Sequence, residues 1–391
     1  MTTGHPQLVA AIASEIARDG AIPFVRFMEL ALYHPQFGYY MRPVDSGTER
    51  IGWNGDFYTS SDVHPLLGQA LARQAAQVDA LLGYPDPFTI VEMGPGKGLL
   101  AKQLLMRCEF VSTSLSQRLR YVLIERSPAM RAAQQQHLSP WVSAGGPVSW
   151  LEDVQSLASD SITGLWLSNE LPDAFPVHRV QKVGQTLKEI FVEIRDGRFV
   201  ECLREPSTPD IEQYFQRLHI DLPEGFRTEV NLLAPVWMRQ VAFSMNRGVV
   251  LTIDYGHSAD DLFGSERSKG TLLCYSSQMA SEDPYVRVGF QDMTAHVDFT
   301  TLATVGEEAG LSVTGFTNQM SFLMGLGVED MITQLAPESP EFRAALHLLK
   351  PDGMGRTFKI LVQHKGIELP VLDGLTFKPF FGSALSRHAA A

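Results

Sequence analysis

The chain has 391 residues, 45% hydrophobic and 19% charged, the balance of a folded globular protein with either one large core or two smaller ones. Its 44 acidic residues outnumber 32 basic ones, and the net charge of -12 argues against nonspecific attraction to nucleic acid. Three dispersed cysteines, Cys108, Cys202 and Cys274, argue against a disulfide framework or a closed zinc site and fit a reducing, cytoplasmic setting.

The N-terminal stretch lacks the basic start and apolar run of a signal peptide. Leu8, Ile12 and Ile16 instead recur every four residues, as one stripe of an amphipathic helix. No 18-residue apolar window occurs, so no membrane insertion is expected. Residues 1–85 read as a helical cap with a long loop, 33–65, dense in Gly, Pro and aromatics. From Pro87 the pattern changes to short apolar runs at 89–94, 121–126, 148–152, 164–171 and 248–256, several of them separated by helical segments. This is the βαβ rhythm of a parallel sheet. The stretches 311–318 and 356–366 would complete its far edge. Residues 176–205 read as a strand meander turning at Asp196-Gly197, and 206–247 as a mainly helical insertion. The expected fold is therefore α/β, with a Rossmann-like core in 86–205 and 248–391 whose additions cover the edge where such sheets bind ligands.

Val91-Glu92-Met93-Gly94-Pro95-Gly96-Lys97-Gly98 ends the first predicted strand and opens a helix. Glycines at 94, 96 and 98 allow a tight turn and close approach of a ligand to bare backbone. Leu99 stands where a dinucleotide loop wants a small residue, and Lys97 is followed by Gly98 where a Walker loop needs Ser or Thr. The second strand ends at Glu125, which can grip both hydroxyls of a ribose or cap the helix that Ser127 and Pro128 announce. After the third, Asp153 can accept from an adenine amino group or cap a turn. Glycine loop and ordered acids together point to a nucleoside cofactor of the S-adenosylmethionine type. Its contacts would be Glu92, Gly94, Gly96, Gly98, Glu125 and Asp153, with Asn169 at the methionine end.

The segments YHPQFGYYM (33–41), GDFYTSSDVHPLLG (55–68), VEMGPGKG (91–98), SNELPDAFPVH (168–178), LTIDYG (251–256), GTLLCY (270–275) and GFQDMTAHVDFT (289–300), in this order, resemble the MidA family over nearly the whole chain. That family includes the mitochondrial complex I assembly factor that methylates protein arginine. The resemblance implies a class I methyltransferase core, S-adenosylmethionine as cofactor and a protein substrate, with a complex I subunit among the partners to be considered.

Methyl transfer to an arginine needs carboxylates to hold the guanidinium, and no metal. Glu170 and Asp173, after the fourth predicted strand, are the expected grips on the substrate nitrogen; the alternative is that they cap the turn around Pro172 and Pro176. His296 can contact substrate or accept a proton, or else sit as a loop or helix-start residue beside a capping Asp298. Phe37 to Tyr40 and Phe57 to Ser60 fit either a lid or plain packing, and Asp254 with Tyr255 are equally ambiguous. His34, His64 and His296 are too widely spaced for a zinc reading, and no G-x-S-x-G elbow supports a hydrolase. A methyltransferase acting on RNA or a small molecule shares every cofactor contact. A noncatalytic assembly factor keeping the fold as scaffold is the other rival, and the intact glycines and Glu125 weigh against it.

Overall fold

The computed structural model describes residues 4–43, 50–378 and 385. Part of the predicted loop, 44–49, and the end of the predicted core segment, 379–384 and 386–391, lie outside the described residues. The central sheet contains β1 (Phe88–Met93), β2 (Leu119–Ile124), β3 (Val148–Leu151), β4 (Ile162–Asn169), β5 (Met245–His257), β6 (Ser312–Asn318) and β7 (Phe358–Lys365). Their spatial order is β6-β7-β5-β4-β1-β2-β3. The first five run parallel, whereas β7 is antiparallel to both β5 and β6. This is the expected α/β sheet, with the order of strand addition reversing between β1 and β4.

Burial on both faces explains why these strands are nearly unbroken apolar runs rather than alternating ones. Ile90, Leu165, Leu167, Val249, Leu251 and Ile253 pack against one helical layer, which includes Leu66–Leu81, Leu99–Val111 and Gln319–Gly325. Val91, Trp166 and Val250 point the other way, into a layer built on Leu233–Ser244 and Phe299–Glu308. The period of two along each strand thus divides one apolar sequence between two cores.

Helices Pro6–Asp19 and Phe24–Tyr33 form a third core with an antiparallel meander. The meander pairs Ile22–Pro23, Thr186–Arg195, His178–Val183 and Arg227–Val230 in that order, with Arg198–Arg204 on the other side of Thr186–Arg195. Asp196 and Gly197 turn the hairpin with φ of 52° and 69°, the left-handed pair a two-residue hairpin loop needs. The segment 206–247 contributes helices Asp210–Leu218 and Leu233–Ser244, and also strand Arg227–Val230, which joins the meander.

Close packing within the sheet depends on two glycines. Gly164 and Gly248 are register partners, each with φ of 145°. A Cβ on Gly248 would lie 2.0 Å from the Gly164 carbonyl oxygen, and one on Gly164 would lie 2.2 Å from that of Thr89. Gly248→Ala should therefore destabilise the fold by about 1–3 kcal/mol from backbone strain alone. Urea unfolding checks this, and an unchanged midpoint would contradict the packing described.

Candidate active site

Met93 pairs with both Ile124 and Ser168, Ile124 with Leu151, and Asn169 with Ile253, so the parallel strands end at one level. The residues that follow each strand therefore share one edge. They line a cavity of about 340 Å³ that includes Glu92, Gly94, Gly96, Glu125, Asp153, Asn169 and Glu170, closed on its far side by Tyr33, Tyr40, Ile51, Phe57 and Asp62 of the N-terminal segment.

Gly94, Gly96 and Gly98 all take left-handed φ values, 71°, 52° and 81°. A Cβ on Gly94 would press to 2.8 Å against Leu171, whereas one on Gly96 would meet nothing nearer than Ile51 at 3.9 Å, because that backbone faces open space. The fully buried Gln134 fixes the loop. Its amide nitrogen donates to the Gly96 carbonyl at 2.7 Å and to Glu125 at 3.1 Å, while its oxygen accepts from the Trp150 indole at 2.8 Å. A single amide thus ties the glycine loop to the ends of β2 and β3. Glu92 is buried and accepts the Tyr121 hydroxyl at 2.6 Å; burial raises its carboxyl to about 7.

Glu125 accepts the Ser127 amide at 2.7 Å through one oxygen and Gln134 through the other, so it helps shape the helix start while both oxygens keep a lone pair for a diol. Burial raises its pKa to about 6. Asp153 accepts the Gln155 amide at 3.0 Å and pairs loosely with Arg126 at 3.4 Å. It caps a turn and lines the cavity at once. Asn169 donates through its amide nitrogen to Glu170 at 2.9 Å, leaving its Oδ1 buried without a partner. A buried acceptor of this kind fits an ammonium donor.

Glu170 has a left-handed φ of 54°, clamped by its amide bond to the Ile253 carbonyl at 2.9 Å. Backbone strain of this kind at a non-glycine residue concentrates where function requires it. Burial, reinforced by Asp173, lifts its carboxyl to about 8. Asp173 lies behind the cavity, on the turn Pro172–Ala174, and burial raises it to about 6 against the hydrogen bond from Tyr255. Its amide donates to Asp254, whose carboxyl is raised well above the usual range by burial and then by Asp173 and Glu170. His296 does not line the cavity. It packs against Tyr255 and His257 at ring separations of 5.6 and 5.3 Å, and burial, Arg267 and Lys359 lower its pKa to about 4, so it is neutral at pH 7.

Sequence reasoning left Tyr40 and Asp254 ambiguous and did not single out Gln134, Tyr33 or Asp292, nor the 2.8 Å ion pair between Lys97 and Asp62 that joins the glycine loop to the N-terminal cap. Asp254 did carry a signal, an acid ending an otherwise apolar strand. Gln134, midway along a polar helix, carried none.

Residues 70–317 match a family model described as "Putative S-adenosyl-L-methionine-dependent methyltransferase". The chain belongs to this family. A Burkholderia thailandensis crystal structure bound to S-adenosyl-homocysteine superposes with a TM-score of 0.85, at 32% identity over 95% of both chains. The Drosophila melanogaster "Protein arginine methyltransferase NDUFAF7 homolog, mitochondrial" is 28% identical over 95% of this chain and 88% of its own. The human "Protein arginine methyltransferase NDUFAF7, mitochondrial" is 26% identical over 90% and 83%. The resemblance to the MidA family is borne out, and the protein is an S-adenosylmethionine-dependent methyltransferase with a class I fold.

Gly94 and Gly96 on the cavity, the two oxygens of Glu125 and the orphaned Asn169 Oδ1 suit that cofactor, whereas Gly98 does not line the cavity and packs against Gln134, where it shapes the turn. Gly96→Ala places a methyl group in open space at a strained φ, so the fold should survive while cofactor affinity falls roughly tenfold or more, a loss of about 1–3 kcal/mol. Calorimetry with S-adenosylmethionine measures it; wild-type affinity would show that no ligand rests on this backbone.

Proposed function

We propose that this methyltransferase modifies an arginine side chain of a protein substrate. The observation that carries the reading is Glu170 on the wall of the cofactor cavity with further acids buried behind it. Glu170, Asp173, Asp254 and Asp292 are influenced by burial, by one another and by hydroxyl or amide donors, and among the described residues no cation pairs with any of them. Buried acids without a counter-ion suit a positively charged substrate. The names of the relatives, which specify protein arginine, support the same choice.

Bound S-adenosylmethionine supplies a methyl group on a positively charged sulfur. The methyl passes to a guanidinium nitrogen as one S–C bond breaks and one N–C bond forms, and one proton must leave that nitrogen. Glu170 is the group placed to take it, since it lines the cavity and its raised pKa suits a base near neutral pH. Asn169 orients Glu170 through their hydrogen bond. Tyr33, Tyr40 and Phe57 cover the cavity and keep it dry, which strengthens each electrostatic contact inside. A cytoplasmic setting, consistent with free Cys108, Cys202 and Cys274, and a complex I subunit as substrate, as the family resemblance implies, belong to the same proposal.

Incubation with methyl-labelled cofactor and a lysate from cells lacking the protein should label protein, with the label recovered as methylarginine. Nuclease-sensitive, protease-resistant label would point to RNA instead. Because Glu170 must be ionised to accept the proton and titrates near 8 in the free enzyme, kcat/KM should rise with pH through about 8 and then level. Glu170→Gln should abolish that limb and lower the rate by roughly 10²–10⁴-fold, the usual contribution of a general base. A pH profile identical in the two proteins would remove Glu170 from the role.

A further inference from the structure

Behind the cavity lie carboxylates that the proton transfer does not use. Strand Asp292–Thr294 pairs with Leu273–Ser276 and is brought against the Pro172–Ala174 turn by a 3.0 Å bond from the Ala295 amide to the Asp173 carbonyl. Asp292, only 2% exposed, accepts the Tyr40 hydroxyl at 2.7 Å. Asp173, 4% exposed, takes a hydrogen bond from Tyr255, yet its Oδ1 is buried with no partner. Tyr33 and Tyr40 stack at 5.5 Å, line the cofactor cavity, and sit within the electrostatic reach of both Asp173 and Asp292. These acids therefore lie one side chain behind the cavity wall, contiguous with Glu170.

An unpartnered carboxylate oxygen in a buried place calls for a donor, and several acids together call for a positive one. A metal ion would need three ligands converging on one point, and among the described residues no such group of acids, histidines and cysteines exists. An ammonium concentrates its three donors at one nitrogen. A guanidinium spreads five donors over a plane and matches carboxylates that stand apart.

We propose that Asp173 and Asp292, with Glu170, form a receptor for the guanidinium of the substrate arginine, and that the Tyr40 hydroxyl is the positioning group that holds Asp292 in place. This rests on the protein-arginine reading above. Glu170 takes the proton, whereas Asp173 and Asp292 hold the remaining nitrogens and select a guanidinium over an ammonium. Asp254, whose two oxygens already accept the amides of Asp173 and Tyr255, anchors the turn and stays outside the receptor.

The test is a titration of the protein loaded with S-adenosylhomocysteine, using Nα-acetyl-arginine amide, its neutral isostere Nα-acetyl-citrulline amide, and Nα-acetyl-lysine amide, in wild type, Asp292→Asn and Tyr40→Phe. The arginine probe should bind wild type in preference to the other two. Asp292→Asn should weaken it by roughly 10–100-fold, the range for a hydrogen bond to a charged group, with S-adenosylhomocysteine affinity retained. Tyr40→Phe should weaken it in the same direction by less, and this variant decides the matter if Asp292→Asn fails to fold. Equal binding of the arginine and citrulline probes, or arginine binding unchanged in both variants, overturns the receptor. Labelled methylarginine in protein together with that negative result would sink the receptor alone, whereas label confined to RNA would sink the reading beneath it.

Discussion

Strands that run parallel and end in register deliver their next residues to one line in space, and in this sheet that line is acidic. Glu125, Glu152, Asp153, Glu170 and Asp254 all follow or close strands whose last pairs are Met93 with Ile124, Ile124 with Leu151 and Asn169 with Ile253. A carboxylate drawn out of water is pushed toward its protonated form unless a cation or donors compensate. The site divides its acids by how this is met. Glu125 is compensated by the Ser127 amide and by Gln134 and is raised only to about 6, whereas Glu170 reaches about 8. The first is suited to neutral hydroxyls, the second to a positive charge.

That division has meaning only if water is kept out. The N-terminal helices supply the exclusion, because Phe24–Tyr33 places the Tyr33 hydroxyl on the Ala174 carbonyl at 2.8 Å, and Tyr40 reaches both the Ser127 hydroxyl, through its carbonyl, and Asp292. The cap is joined to the cofactor loop by the Lys97 to Asp62 pair, in which both side chains are largely buried. The Thr59 to Asp62 capping box fixes Asp62 in turn. Thus the residues that close the cavity are bonded to the residues that form its floor, which is how a site remote in sequence becomes one rigid unit.

The sheet was legible in the sequence because its strands are apolar on both faces and separated by helices, so length and punctuation alone separated them. The glycine loop was legible because glycine takes the three left-handed turns at 94, 96 and 98 without the strain other residues incur there. Glu125 and Glu170 could be placed since each follows a recognisable strand. Asp292 and Tyr40 could not be joined, because 252 residues separate them and their hydrogen bond exists only after the cap folds over the sheet edge. Gln134 was hidden for a similar reason: glutamine on an exposed-looking helix gives no sign that three separate segments converge on it. His296 was visible as a titratable side chain, but periodicity could not show that burial, with Arg267 and Lys359 adding to it, would keep it neutral.

The central claim is that the acidic edge responds to positive charge at the reacting sulfur. S-adenosylmethionine and S-adenosylhomocysteine differ by one methyl group and that one charge, and they share all other recognised groups. Their affinities should be compared by calorimetry from pH 6 to pH 9, a window that brackets the Glu170 value of about 8. If the account is right, the preference for the charged compound grows as pH rises through that value, because ionised Glu170 attracts the sulfonium. A ratio of affinities that stays flat or falls across the window would contradict it.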